Sequence, residues 1–69
     1  MDNNNEFFSN LNSNISNARN RKTLRILEKQ GRRYVVSIPS YADKRIKKDA
    51  KRQLNYSLKL IRRKSKQIK

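Results

Sequence analysis

Nineteen of the 69 residues are lysine or arginine, and they define the chemistry open to this chain. Five acids oppose them, the net charge is +14, and there is no histidine or cysteine. Such an inventory lacks the usual general base and the activated thiol, and no two carboxylates fall in a pattern suited to paired acid–base work, so no catalysis is expected. Disulfides and ordinary zinc sites are excluded by the same count, and no metal or cofactor is expected. A field of one sign is held against its own repulsion, which a polyanion relieves. Phosphate backbones rank first as partner, an anionic membrane surface second and an acidic protein third.

The cations begin in earnest at Arg19, Arg21, Lys22 and Arg25, followed by Lys29, Arg32 and Arg33, with only Glu28 among them. A basic arm beside a folded DNA reader adds phosphate or minor-groove contacts. Next comes the densest β-forming run in the chain, residues 34–38, Tyr-Val-Val-Ser-Ile, which predicts a short strand ended by Pro39. Strand alternation sets Tyr34, Val36 and Ile38 on a core face and Arg33, Val35 and Ser37 on the other. That second trio suits base edges in a major groove: Arg for guanine, Val for a thymine methyl, Ser for either. Ser40 and Asp43 then read as a capping box opening a helix.

From Tyr41 onward a helical wheel puts Ala42, Ile46, Ala50, Leu54, Leu58, Ile61 and Ile68 on one side. Lys44, Lys48, Lys51, Arg52, Lys59, Arg62, Lys66 and Lys69 fall on the other. The segment reads either as one long basic amphipathic helix or as two short ones broken at Asn55-Tyr56-Ser57, where Asn tolerates a helix end and Ser57 caps the second helix. Residues 23–27 also have two readings. They form the last turns of a helix stopped by Gly31, or the first strand of a hairpin that turns through residues 28–31.

Residues 2–20 are rich in Asn and Ser, which favour caps and turns, so a flexible arm is expected in isolation. Within it Phe8, Leu11, Ile15 and Ala18 recur at helical spacing, with Asn5 as a cap, and offer a docking helix. Phe7, Phe8, Leu11 and Ile15 are the expected anchors for a protein partner. The start of the chain lacks a basic and an apolar signal region and no apolar run reaches spanning length, so the expectation is no membrane insertion and a cytoplasmic, nucleoid-associated location.

The chain thus divides into a flexible or partly helical arm over residues 1–31 and a nucleic-acid-binding domain over 32–69. The fold class is α+β, mostly helical. So small a domain has little core of its own, which points to oligomerisation or to ordering on a partner.

Taken in order, strand, proline, helix, Asn-Tyr-Ser turn, helix, residues 33–68 resemble the ribbon-helix-helix family, of the Arc, CopG and ParG type. The resemblance implies a homodimer formed through the strand, an antiparallel ribbon in the major groove, and Arg33, Val35 and Ser37 as readers, flanked by Arg32. It also implies Ile38 as a core residue, Ala50 as the small mid-helix residue, and a phosphate held at a helix start near Ser57. A weaker likeness to the arm-binding domain of phage integrases equally places a β-element in DNA.

The leading reading is therefore a dimeric DNA-binding repressor or plasmid or phage accessory factor that prefers duplex DNA to RNA. Two others stand beside it. One is an RNA- or DNA-packaging or ribosome-associated protein that uses a long basic helix without sequence preference. The other is a small inhibitor or adaptor that seats in an acidic groove of an enzyme.

Overall fold

A computed structural model describes residues 3–39 and 41–68 as three helices. These are α1 (Asn3–Asn17), α2 (Arg21–Ser37) and α3 (Lys44–Gln67). They run up, down and up. Asn5 of α1 meets Gln53 and Ser16 meets Lys64, so α1 and α3 are parallel, while Gly31 of α2 approaches Leu11 and Leu54, midway along both neighbours. The body measures 42 × 18 × 14 Å, its long axis following the helices.

Each helix buries the stripe its sequence provides. In α1 the residues Phe8, Leu11 and Ile15, with Ala18 just beyond, are buried at spacings of three, four and three. In α2 the residues Leu24, Leu27, Gly31 and Val35 recur at three, four and four. In α3 Ala50, Ser57 and Ile61 are buried, with Leu54 and Leu58 packed against the same core. Full burial of a Phe, Leu or Ile side chain contributes about 1.5–3 kcal/mol each. Asn- and Ser-rich α1, a poor helix former by composition, depends on that packing.

The ends are set locally. Asn20 caps α2, its side chain accepting from the Thr23 backbone N at 2.8 Å and from the Thr23 hydroxyl at 2.9 Å. Ile38, the residue before Pro39, lies in the extended region at φ −68° and ψ 120°, the conformation a following proline imposes, and α2 stops there. The Asp43 carboxylate caps α3 by accepting from Arg45 N at 2.9 Å, and Lys64 and Lys66 complement the dipole at the other end. Ser40, the expected first member of the capping box, and Lys69, the last expected cation of the α3 face, lie outside the described residues.

Several expectations are overturned here. Residues 34–38 are not a strand: 34–37 are the last turn of α2, and no strand occurs among the described residues. Helix costs a Val only a fraction of a kcal/mol relative to better formers, and burying Val35 in the core and packing Tyr34 on the α1 rings outweighs that. The face assignment changes with it, since Val35 is 6% exposed and Val36 is 80% exposed. Of the two readings of residues 23–27 the helical one holds and the hairpin does not, and of the two readings of the arm the helical one holds over Asn3–Asn17, with Asn5 inside the helix instead of capping it. α2 also runs unbroken across the division expected between residues 31 and 32.

Gly31 does not end a helix. It sits inside α2 with no positive φ, and a Cβ built on it would lie 2.9 Å from Leu54 Cδ1 and 3.2 Å from Leu11 Cδ2. Its missing side chain is what lets the three helices approach at mid-height. Residues 44–67 form one helix, not two, and Asn55-Tyr56-Ser57 lie within it. The α+β class, the ribbon and the dimer joined through it are therefore replaced by an all-helical bundle. The three apolar stripes meet within one chain.

Candidate polyanion interface

The polar interior holds the bundle in register. Asn4 is 2% exposed, and its side-chain amide donates to the Ile46 carbonyl of α3 at 2.9 Å and to Asp49 Oδ2 at 3.5 Å. Its oxygen accepts from the Tyr34 hydroxyl of α2, so one side chain ties all three helices. Ser57, fully buried, donates to Asn12 Oδ1 at 2.6 Å. Lys64 of α3 reaches across to the Ser16 carbonyl at 2.9 Å and supplies the cation that the last turn of α1 lacks.

With the interior so satisfied, the charge lies outside. Of the Lys and Arg residues, α1 has none, α2 has six and α3 has eleven. On α2 the cations Lys22, Arg25, Lys29, Arg32 and Arg33 are all exposed and follow the helix opposite its buried stripe. On α3 Lys44, Lys48, Lys51, Arg52, Lys59 and Arg62 do the same. The ion pair from Glu28 Oε2 to Arg32 Nε, at 3.5 Å, is between two solvated groups and neutralises little of this field.

The two cationic faces meet at one end of the bundle. There α2 begins and α3 finishes, and antiparallel packing leaves an open groove of about 490 Å³ between them. Arg21, Arg25 and Glu28 line one wall, Arg62, Ser65 and Lys66 the other, with Leu24 and Ile61 at the floor. Four cations thus face across a trough with one carboxylate, and that carboxylate is drawn toward Arg32.

Of the residues read from the sequence as DNA-contacting, Arg21 and Arg25 lie in this groove, Lys22 is exposed on the same turns, and Arg19 is exposed in the link before α2. Arg32 and Arg33 are exposed farther along α2. Val35 is in the core and cannot meet a base, and the exposed Ser37 turns its hydroxyl to the Tyr34 carbonyl at 2.7 Å. Ser57 is buried in mid-helix, where its backbone N–H belongs to the helix ladder, so no phosphate is held there. Arg33, Val35 and Ser37 therefore do not form a reading face.

The proposed protein-partner anchors are internal. Phe8, Leu11 and Ile15 are 1%, 3% and 1% exposed, and Phe7 is half-buried and stacks on Tyr34 with ring centroids 4.0 Å apart. Sequence reasoning placed Arg62 and Lys66 on a general cationic face without pairing them with Arg21 and Arg25. The signal was available in the stripe 24, 27, 31 and 35, which makes α2 a helix and hence an antiparallel neighbour of α3.

No family model, no curated protein and no solved structure matches this chain. The functional reading accordingly rests on the geometry and charge of the bundle.

Proposed function

We propose that this protein is a nucleic-acid-binding protein that grips phosphate backbones with the joined cationic faces of α2 and α3. The observation that carries this reading is the segregation of charge: seventeen cations lie on two adjacent antiparallel helices and none on the third. Charge needed only to keep a chain dispersed has no reason to avoid one helix. A phosphate strand or duplex laid along the two helices draws affinity from neutralised phosphates and released counterions. The mode is that of a backbone-tracking or packaging protein, with no base-reading element assigned. It acts in the cytoplasm on the nucleoid.

The inhibitor reading loses support because its apolar anchors are spent in the core. No helix among the described residues is long and apolar enough to cross a membrane.

The test is a fluorescence titration against duplex DNA, single-stranded DNA and duplex RNA over a salt series, with light scattering for the mass of each complex. Engagement of about 6–10 phosphates gives a loss of roughly 10³- to 10⁵-fold in affinity between 50 and 200 mM salt. Failure to bind any of the three at 50 mM salt, or an affinity indifferent to salt, overturns the proposal.

A further inference from the structure

We infer that the groove between the first turns of α2 and the last turns of α3 is a dedicated seat for a single nucleic-acid strand. The inference rests on the nucleic-acid reading above and deepens it: it names the place and the form of the ligand.

Three observations carry it. The first is a difference in the kind of cation. Outside the groove the exposed cations of α3 are Lys44, Lys48, Lys51 and Lys59 with Arg45, Arg52 and Arg63, whereas three of the four groove cations, Arg21, Arg25 and Arg62, are arginine, with Lys66 the fourth. An ammonium is a hydrated point charge, but a guanidinium is planar, forks onto phosphate oxygens and stacks on base faces. Three of the four cations where the two walls converge are thus of the forking kind, against three of seven on the rest of exposed α3.

The second is shape. Arg21 and Arg25 rise from one wall and Arg62 and Lys66 from the other, so one strand in the trough is contacted from both sides. The whole bundle is only 18 × 14 Å across its helices, so a trough in one of its sides takes a strand and not a duplex. Along α2 the groove runs from Arg21 to Glu28, about 10 Å at 1.5 Å per residue.

The third is the floor. Leu24 is buried beneath the trough and Ile61 is 8% exposed, so the apolar surface there comes chiefly from the aliphatic stems of the flanking arginines. Sugars and unpaired base faces present apolar surface to it. In a duplex the base faces are stacked on one another and unavailable. Glu28 is the one group opposed to an anion here, and its contact with Arg32 keeps the carboxylate engaged along α2.

The experiment compares two doubly neutralised variants of the full chain that remove equal charge from exposed positions. R25Q/R62Q strips both walls of the groove, and K48Q/K51Q strips the outward face of α3. Binding is measured for a six-nucleotide thymidine strand and for a hairpin with a six-base-pair stem. Circular dichroism verifies that both variants keep the parental helix content.

The expected result is a loss of about tenfold for the single strand in R25Q/R62Q, with the slope of log K against log salt shallower by about 1.4, since each lost phosphate contact removes ~0.7. K48Q/K51Q is expected to lose less than about threefold on the same strand. Equal losses in the two variants, or a loss in R25Q/R62Q confined to the hairpin, overturn the groove as a single-strand seat while leaving nucleic-acid binding intact. A parent protein that binds neither ligand removes both readings.

Discussion

α1 and α3 lie side by side and parallel, and they solve the same packing problem with opposite surfaces. Both present an apolar stripe to the core. The solvent side of α1 consists of Asn5, Ser9, Asn10, Ser13, Asn14, Ser16 and Asn17, with Glu6 its one charge. α3 turns outward nine exposed lysines and arginines, interrupted by Ile46, Asn55, Tyr56 and Gln67. Since folding constrains only the inward stripe, the chemistry of the outward side is free to answer another demand. The amide-rich helix answers a structural one, reaching inward through Asn4 and Asn12. The cationic helix answers a demand from outside the molecule.

Removing α1's largest core side chain is the most severe way to break this comparison. Phe8→Ala leaves a cavity at a site 1% exposed and should cost about 3–5 kcal/mol, enough to abolish cooperative thermal unfolding in a bundle this small. If the variant melts like the parent, α1 is an appendage and not one of three equal walls. Asn4→Ala is next. It leaves the Ile46 carbonyl and the Tyr34 hydroxyl without this partner and should cost about 1–3 kcal/mol in urea unfolding. A neutral result would show that the inward amides of α1 carry no structural role. Lys59→Gln, on the exposed face of α3, should shift stability by no more than about 0.5 kcal/mol. A large loss there would mean that the cations serve the fold.

Much of this architecture was legible in the residues. The stripe Phe8, Leu11, Ile15, Ala18 marked a helix despite its Asn-rich surroundings, and the wheel marked Ala50, Leu54, Leu58 and Ile61 as the inward face of α3, while Ile46, set on the same side, is 48% exposed. Tyr34-Val35-Val36 misled because β-branched composition argued locally for a strand, while the stripe that makes α2 a helix starts ten residues earlier, at Leu24. Gly31 misled for a similar reason. Near the end of a short apolar run a glycine suggests a cap, and only the approach of Leu11 and Leu54 shows that its small size serves helix packing. Asn55-Tyr56-Ser57 suggested a break because Asn tolerates a helix end and Ser caps a new helix, whereas Ser57 is buried in mid-helix and donates to Asn12, 45 residues away. The cations themselves were plain in the sequence. Their convergence was not, because Arg25 and Arg62 meet only through the antiparallel course of α2 and α3.

The aromatic cluster of the bundle has an optical consequence. Tyr34 stacks on Phe7 with the rings 8° from parallel and meets Phe8 edge-on at 5.6 Å, whereas Tyr41 and Tyr56 are 90% and 58% exposed and the chain has no tryptophan. Only Tyr34 sits in a fixed asymmetric surrounding, and that surrounding is made of α1 rings against an α2 ring. The tyrosine band of the near-ultraviolet ellipticity is thus a one-residue gauge of whether α1 is seated, readable without any label and separable from the total helix content seen in the far ultraviolet.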